Sequence, residues 1–88
     1  MRYAIAELIG ERVVARRTRR RLTQQQVADR IDISRQALSS IERGTQLPHW
    51  PTLYAVAGVL RCDIYALLPT YRQVKALDGK RATRHESP

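Results

Sequence analysis

Three signals inside 23 residues limit what this chain can fold into. They lie in Leu22–Gly44, LTQQQVADRIDISRQALSSIERG. Thr23 followed by Gln26 has the spacing of a capping box, in which each side chain satisfies a backbone N–H of the other residue. Ser34 is a second N-cap. Gly44 is a stop, because only glycine enters the left-handed region without strain. Two short helices are therefore expected, Thr23 to Ile31 and Arg35 to about Arg43. Asp32, Ile33 and Ser34 form the turn between them, and Ile33 is its apolar pin.

Periodicity assigns faces to these helices. Val27, Ala28 and Ile31 make the buried stripe of the first. In the second, Ala37, Leu38 and Ile41 fall on one side. Arg35, Gln36, Ser39, Ser40 and Arg43 fall on the other, with no carboxylate among them. Arg, Gln and Ser are side chains that hydrogen-bond base edges and phosphates. Gln24 and Gln25 stand in the first turn of the preceding helix, where free N–H groups and the positive end of the dipole attract a phosphate.

The flanking chain supplies more helix. Met1 to Arg20 repeats apolar residues at Ile5, Leu8, Ile9 and Val13. Gly10 within it marks either close packing or a break. Arg16 to Arg21 holds five Arg in six positions. Such a run cannot all face a core, and it reads either as a solvated helix end suited to the dipole or as a phosphate-facing patch. Thr45 to Pro51 is a loop. Trp50 is placed in it, as a lid over the core's edge in preference to a nucleic-acid contact. Thr52 to Leu60 is a fourth helix, with Leu53, Val56, Ala57 and Leu60 buried. Asp63 caps a short fifth helix, Ile64 to Leu68, stopped by Pro69. Tyr71, Val74 and Leu77 add a turn or two, ended by Asp78-Gly79, with disorder beyond Asp78. The expected architecture is an all-α, compact bundle of about five short helices. Residues 1–69 form the domain, and residues 70–88 a basic, partly disordered tail.

Length and charge narrow the function. A chain of 88 residues is one domain, with little room for a deep catalytic pocket. Phe is absent, so Leu, Ile, Val and Ala must build the core. Lys plus Arg number 16 against 8 acids, for a net charge of +8, and only Lys75 and Lys80 of these cations are not Arg. The planar guanidinium matches phosphate and guanine, so a polyanionic partner is the leading explanation, with simple solubilising charge as the bland one. Cys62 cannot form an intramolecular disulfide. With His49 and His85 it gives too few ligands for zinc, so no metal or other cofactor is expected. A reduced, intracellular setting fits. No apolar run nears the ~18 residues of a membrane span, and no secretory signal is evident. No nucleophile, base or carboxylate pair stands at catalytic spacing, so an enzyme is not expected.

The wording of the central stretch goes further. Leu22-Thr23-Gln24, Val27-Ala28, Ile33-Ser34-Arg35 and Ile41-Glu42-Arg43-Gly44 resemble the phage-repressor helix-turn-helix proteins of the Cro-like or XRE-like type. Ile9-Gly10-Glu11-Arg12-Val13 fits that family's first helix. Pro51-Thr52-Leu53, Val56-Ala57, Leu60 and Leu67-Leu68-Pro69 fit its last two. The resemblance covers about Ile9 to Pro69 and implies a lambda-repressor-like domain that reads double-stranded DNA. Its third helix would lie in the major groove, with Arg35, Gln36, Ser39 and Ser40 at base edges. Gln24, Gln25, Arg43 and Thr45 would meet phosphates, with Arg20 and Arg21 as contributors. Arg17 and Glu42 match a pair that joins the first and third helices, so Glu42 would orient the helix without repelling DNA. The chain departs from the family at Arg21 and Asp32, where Gly is usual, which bears on loop geometry more than on the readout face.

The resulting expectation is a homodimeric transcriptional regulator, a repressor, on a near-palindromic operator in the cytoplasm, associated with a prokaryotic or phage nucleoid. The dimer surface would be either Ile64 with Tyr65, or Tyr71 to Leu77. The alternatives are an antitoxin-type module whose tail holds a protein partner, and a basic RNA-binding protein.

Overall fold

The computed structural model describes residues 1–86. Five α-helices and one 3₁₀ turn follow in order: α1 (Arg2–Arg19), α2 (Gln24–Arg30), α3 (Arg35–Glu42), α4 (Trp50–Val59), the turn Ile64–Ala66, and α5 (Tyr71–Glu86). No strand occurs among the described residues. Ile9 and Val13 of α1, Val27 and Ala28 of α2, Leu38 of α3, and Leu53, Val56 and Ala57 of α4 meet in one core, closed below by Leu60 and Leu67. Ile31 and Ile33 are half-buried against it. All five aromatic side chains, Tyr3, Trp50, Tyr54, Tyr65 and Tyr71, stay outside. The interior is thus aliphatic, and helices pack through small and branched side chains.

Four helices end in the same way. At each end the second residue past the helix cap returns its N–H to a carbonyl five positions back: Leu22 to Arg17 (3.1 Å), Ile33 to Ala28 (3.1 Å), Thr45 to Ser40 (3.1 Å) and Cys62 to Ala57 (3.0 Å). This is the Schellman arrangement, and it requires a left-handed residue just before the returning N–H. Those residues are Arg21 (φ 57°), Asp32 (58°), Gly44 (74°) and Arg61 (55°). Arg21 and Asp32 thus keep the usual left-handed exits of α1 and α2, at a strain of about 1 kcal/mol each. The apolar residues that follow, Leu22, Ile33 and Cys62, pack on the core and hold the turns in place.

Gly44 is glycine for a second reason. A Cβ there would lie 2.8 Å from the Cα of Glu7. Gly10 mirrors it: a Cβ on Gly10 would lie 2.6 Å from the carbonyl oxygens of both Ile41 and Glu42. The backbones of α1 and the end of α3 therefore touch. Gly10 marks close packing, and α1 does not break there.

Three expectations are corrected. Trp50 is the first residue of α4 and is 72% exposed, so it is no lid. Pro51 can follow it because a first-turn N–H needs no helical partner, which starts the helix two residues early. The fifth helix is only the 3₁₀ turn Ile64–Ala66, and Asp63 makes no side-chain cap bond. Finally, Asp78-Gly79 does not stop α5, which continues in helical form to Glu86; Ser87 and Pro88 lie outside the described residues. The reason is tertiary. Val74 is buried, Asp78 pairs with the amino group of Met1 at 2.8 Å, and Arg12 reaches from α1 to the Leu68 carbonyl (2.6 Å) and to Gln73 Oε1 (2.7 Å). Thr70 and Gln73 complete a capping box at the start of α5. These contacts anchor α5 as far as Asp78, and the one helical Gly that follows costs only roughly 1 kcal/mol.

Gly44→Ala should lower stability by about 1–2 kcal/mol from the left-handed backbone alone, and by more from the clash with Glu7. Gly58→Ala, whose added methyl meets nothing within 4 Å, should raise stability by about 0.5–1 kcal/mol. Urea midpoints at constant slope measure both.

Candidate nucleic-acid interface

The interface is built on two helix starts. Thr23 Oγ1 accepts from the Gln26 N–H (3.0 Å), and Gln26 Oε1 accepts from the Thr23 N–H (2.8 Å). Ser34 Oγ accepts from the Ala37 N–H (3.0 Å) and fixes the start of α3. Leu38 and Ile41 then anchor α3 in the core. The rotation left over turns Arg35, Gln36, Ser39, Ser40 and Arg43 outward, where with Gln25 they line one open groove.

The groove's polar groups differ in how free they are. Arg35 and Gln36 are exposed, and no hydrogen bond or ion pair holds either one among the described residues. Ser39 and Ser40 are half-buried. Arg43 Nη2 donates to Ser40 Oγ at 3.3 Å. Thr45 Oγ1 donates to the Ser40 carbonyl at 3.1 Å, closing the turn after α3. Gln25 Nε2 donates to Asp29 Oδ1 at 2.7 Å. Arg35 and Gln36 thus leave free donors at the amino-terminal end of α3, and Arg43 caps its other end.

Behind the groove sits one carboxylate. Glu42 accepts from Arg17 Nε on Oε2 (2.6 Å) and from Arg17 Nη2 on Oε1 (3.0 Å). Gln24 Nε2 also donates to Oε1 (2.9 Å). Arg17 Nη1 donates to the Leu22 carbonyl (2.8 Å). The Glu42 side chain is only 4% exposed, and that of Arg17 15%. The paired, bidentate geometry neutralises this acid where it stands behind the groove. It also ties α1, α2 and α3 to one point and fixes the amide of Gln24, which has a second N–H left to give.

Arg20 and Arg21 do not join the groove. Arg20 Nε donates to the Leu60 carbonyl at 2.7 Å, at the end of α4. Arg21 occupies the left-handed cap of α1. The contact of Arg12 with Leu68 and Gln73 was not foreseen. Thr70-Tyr71-Arg72-Gln73 carries the same capping-box spacing as Thr23 to Gln26, and that signal marks the start of α5. Among the described residues no three His, Cys, Asp or Glu come together as metal ligands, and no single helix is long and apolar enough to cross a membrane.

Removing one partner of a buried pair leaves the other charge stranded. Glu42→Ala should therefore cost about 3 kcal/mol. Arg17→Met with Glu42→Leu should recover most of that loss. A double-mutant cycle by chemical denaturation measures the coupling.

This geometry has close relatives. The helix-turn-helix family model HTH_3 matches residues 13–67. The immunity repressor protein of Bacillus phage phi105 is 35% identical over 78 residues, 89% of this chain and 54% of that protein. The chain thus spans about half the length of this curated relative. Among solved structures, an HTH_3 family transcriptional regulator from Vibrio cholerae superposes with a TM-score of 0.71 at 25% identity, over 76% of this chain and 38% of that one. The clp gene regulator ClgR from Corynebacterium glutamicum superposes with a TM-score of 0.70 at 18% identity, over 92% and 83%. A chain of a SinR protein/SinI protein complex gives 0.65 at 24%, over 85% and 80%. The last two share the fold. The chain belongs to the HTH_3 helix-turn-helix family.

Proposed function

We propose that this chain is a sequence-specific repressor that inserts α3 into the major groove of double-stranded DNA. The observation that carries this reading is the pair of unpartnered side chains, Arg35 and Gln36, at the exposed start of α3. Arg35 suits the O6 and N7 acceptors of guanine, and Gln36 the N7 and N6 groups of adenine. Ser40 stands one turn on, with Ser39 beside it. Gln24, held by Glu42, gives its remaining N–H to a backbone phosphate, while Gln25, Arg43 and Thr45 flank the same strand. Phosphates supply most of the affinity and the α3 side chains the preference.

Two copies on a near-palindromic operator would present two α3 helices about 34 Å apart. Of the two dimer surfaces open in the sequence, Tyr65 is the better supported. It is 80% exposed against 71% for Tyr71 on the other surface, where Val74 is buried, although its neighbour Ile64 packs on the core. The setting is cytoplasmic DNA, and repression follows from occupying the site against polymerase.

Selection of bound sites from random duplex DNA should enrich one near-palindromic sequence, and an unenriched pool refutes the proposal. Arg35→Ala should cost about 1–3 kcal/mol on the selected site and relax one base position. Gln24→Ala should weaken all duplexes alike.

A further inference from the structure

Beyond the recognition groove lies a second cationic cleft. It sits between the carboxyl ends of α1 and α4 and is lined by Arg16, Arg19, Arg20 and Leu60. We propose that this cleft binds a phosphate-type oxyanion.

Arg16 and Arg19 of α1 and its C-cap Arg20 stand at i, i+3 and i+4, so they share one face. That face is turned roughly 100° around the helix from Arg17, which looks toward Glu42. None of its residues lines the groove of α3. Leu60, buried at 1% exposure, forms the floor. Its carbonyl receives Arg20 Nε, which holds one guanidinium in place and leaves its outer N–H groups free.

Charge separates a binding site from a merely solvated helix end. Where this fold uses an arginine structurally, it supplies an acceptor: Glu42 for Arg17, Leu68 and Gln73 for Arg12, and, within the cleft itself, the Leu60 carbonyl for Arg20. Arg16 and Arg19 have no such partner among the described residues, and no carboxylate lines the cleft. Helix dipoles do not balance the sum. Each carboxyl end offers roughly half a negative charge, so the two together meet about one of three positive charges. Like charges at i and i+4 also repel within α1. About two positive charges are left facing a space of about 320 Å³, room for a phosphate with a small organic group attached. Guanidinium forks match tetrahedral oxyanions through paired N–H donors. The ligand chemistry is a phosphate group, carried either by a small phosphorylated solute or by nucleic-acid backbone beyond the α3 contacts.

The test uses the full chain and inorganic phosphate at constant ionic strength, with chloride as the control. Guanidinium Nε–H signals of Arg16, Arg19 and Arg20 should shift saturably with phosphate. In the Arg16→Gln/Arg19→Gln variant the apparent affinity should fall at least tenfold with an unchanged circular dichroism spectrum, while Arg35→Gln should leave these shifts intact. Shifts no larger than those with chloride, or equal titrations in the wild type and the double variant, overturn the proposal. The source is read from duplex binding. A salt slope reduced by about two in the double variant assigns the backbone phosphates; an unchanged slope beside a lost phosphate response assigns a small phosphorylated solute. Because the phosphate titration contains no DNA, it stands or falls apart from the reading of α3.

Discussion

The contact between α1 and the end of α3 decides where everything else in this protein can be. It combines two features that rarely tolerate change. Gly10 and Gly44 let two backbones approach until no side chain fits between them. The Arg17–Glu42 pair then locks the same two helices one to two turns further along. Desolvating such a pair costs several kcal/mol per ion, and attraction repays that only when the geometry is good and the remaining lone pairs are used. Here they are, because Gln24 takes a further position on the carboxylate. The orientation of α3 is thus set by close packing on one side and by directional hydrogen bonds on the other. Arg35 and Gln36 therefore hold one direction relative to the core, since a rotation of about 100° would bring Ala37 into the place of Gln36.

The same economy appears at the helix ends. Four left-handed caps turn the chain sharply enough to fit five helices into about eighty residues. Only one of the four is glycine, and it is the one pressed against α1. At Arg21, Asp32 and Arg61 the side chain points outward, so the backbone strain is tolerated without a clash. Core residues just beyond the caps hold these turns against the strain. A small protein gains little from each such contact, but losing the register of one turn would shift an entire helical face.

Arginine is used here in three distinct ways. Arg17 and Arg12 serve as internal fasteners, each reaching across to another helix or loop. Arg35 and Arg43 stand on the open face of α3. Arg16, Arg19 and Arg20 crowd a separate cleft by the end of α4. A net charge of +8 therefore does not describe one uniform basic surface. Seven of the arginines fall into an internal pair held by acceptors and two sets on different faces, while others such as Arg30, Arg61 and Arg72 stand exposed elsewhere.

Much of this was legible in the chain, because its signals are local. Capping residues act on N–H groups within three positions, so Thr23, Gln26, Ser34 and Gly44 fixed α2, the turn and α3 without reference to anything distant. Periodicity alone separated Leu38 and Ile41 from Arg35 and Gln36, since a helical face repeats within one turn. The Arg17–Glu42 pair could be named only through resemblance, as the two residues lie 25 positions apart. What only the tertiary structure decided involves contacts between segments with no local trace. Arg20 lies at the end of α4, where it donates to a carbonyl 40 residues distant. Trp50 was left outside because Leu, Ile, Val and Ala already fill the core. The helix α5 is docked as far as Asp78 by Arg12 of α1, by burial of Val74 and by the amino group of Met1. Local chemistry determined which helices form and which faces they bear; packing between distant helices determined which of the exposed charges remain free to bind.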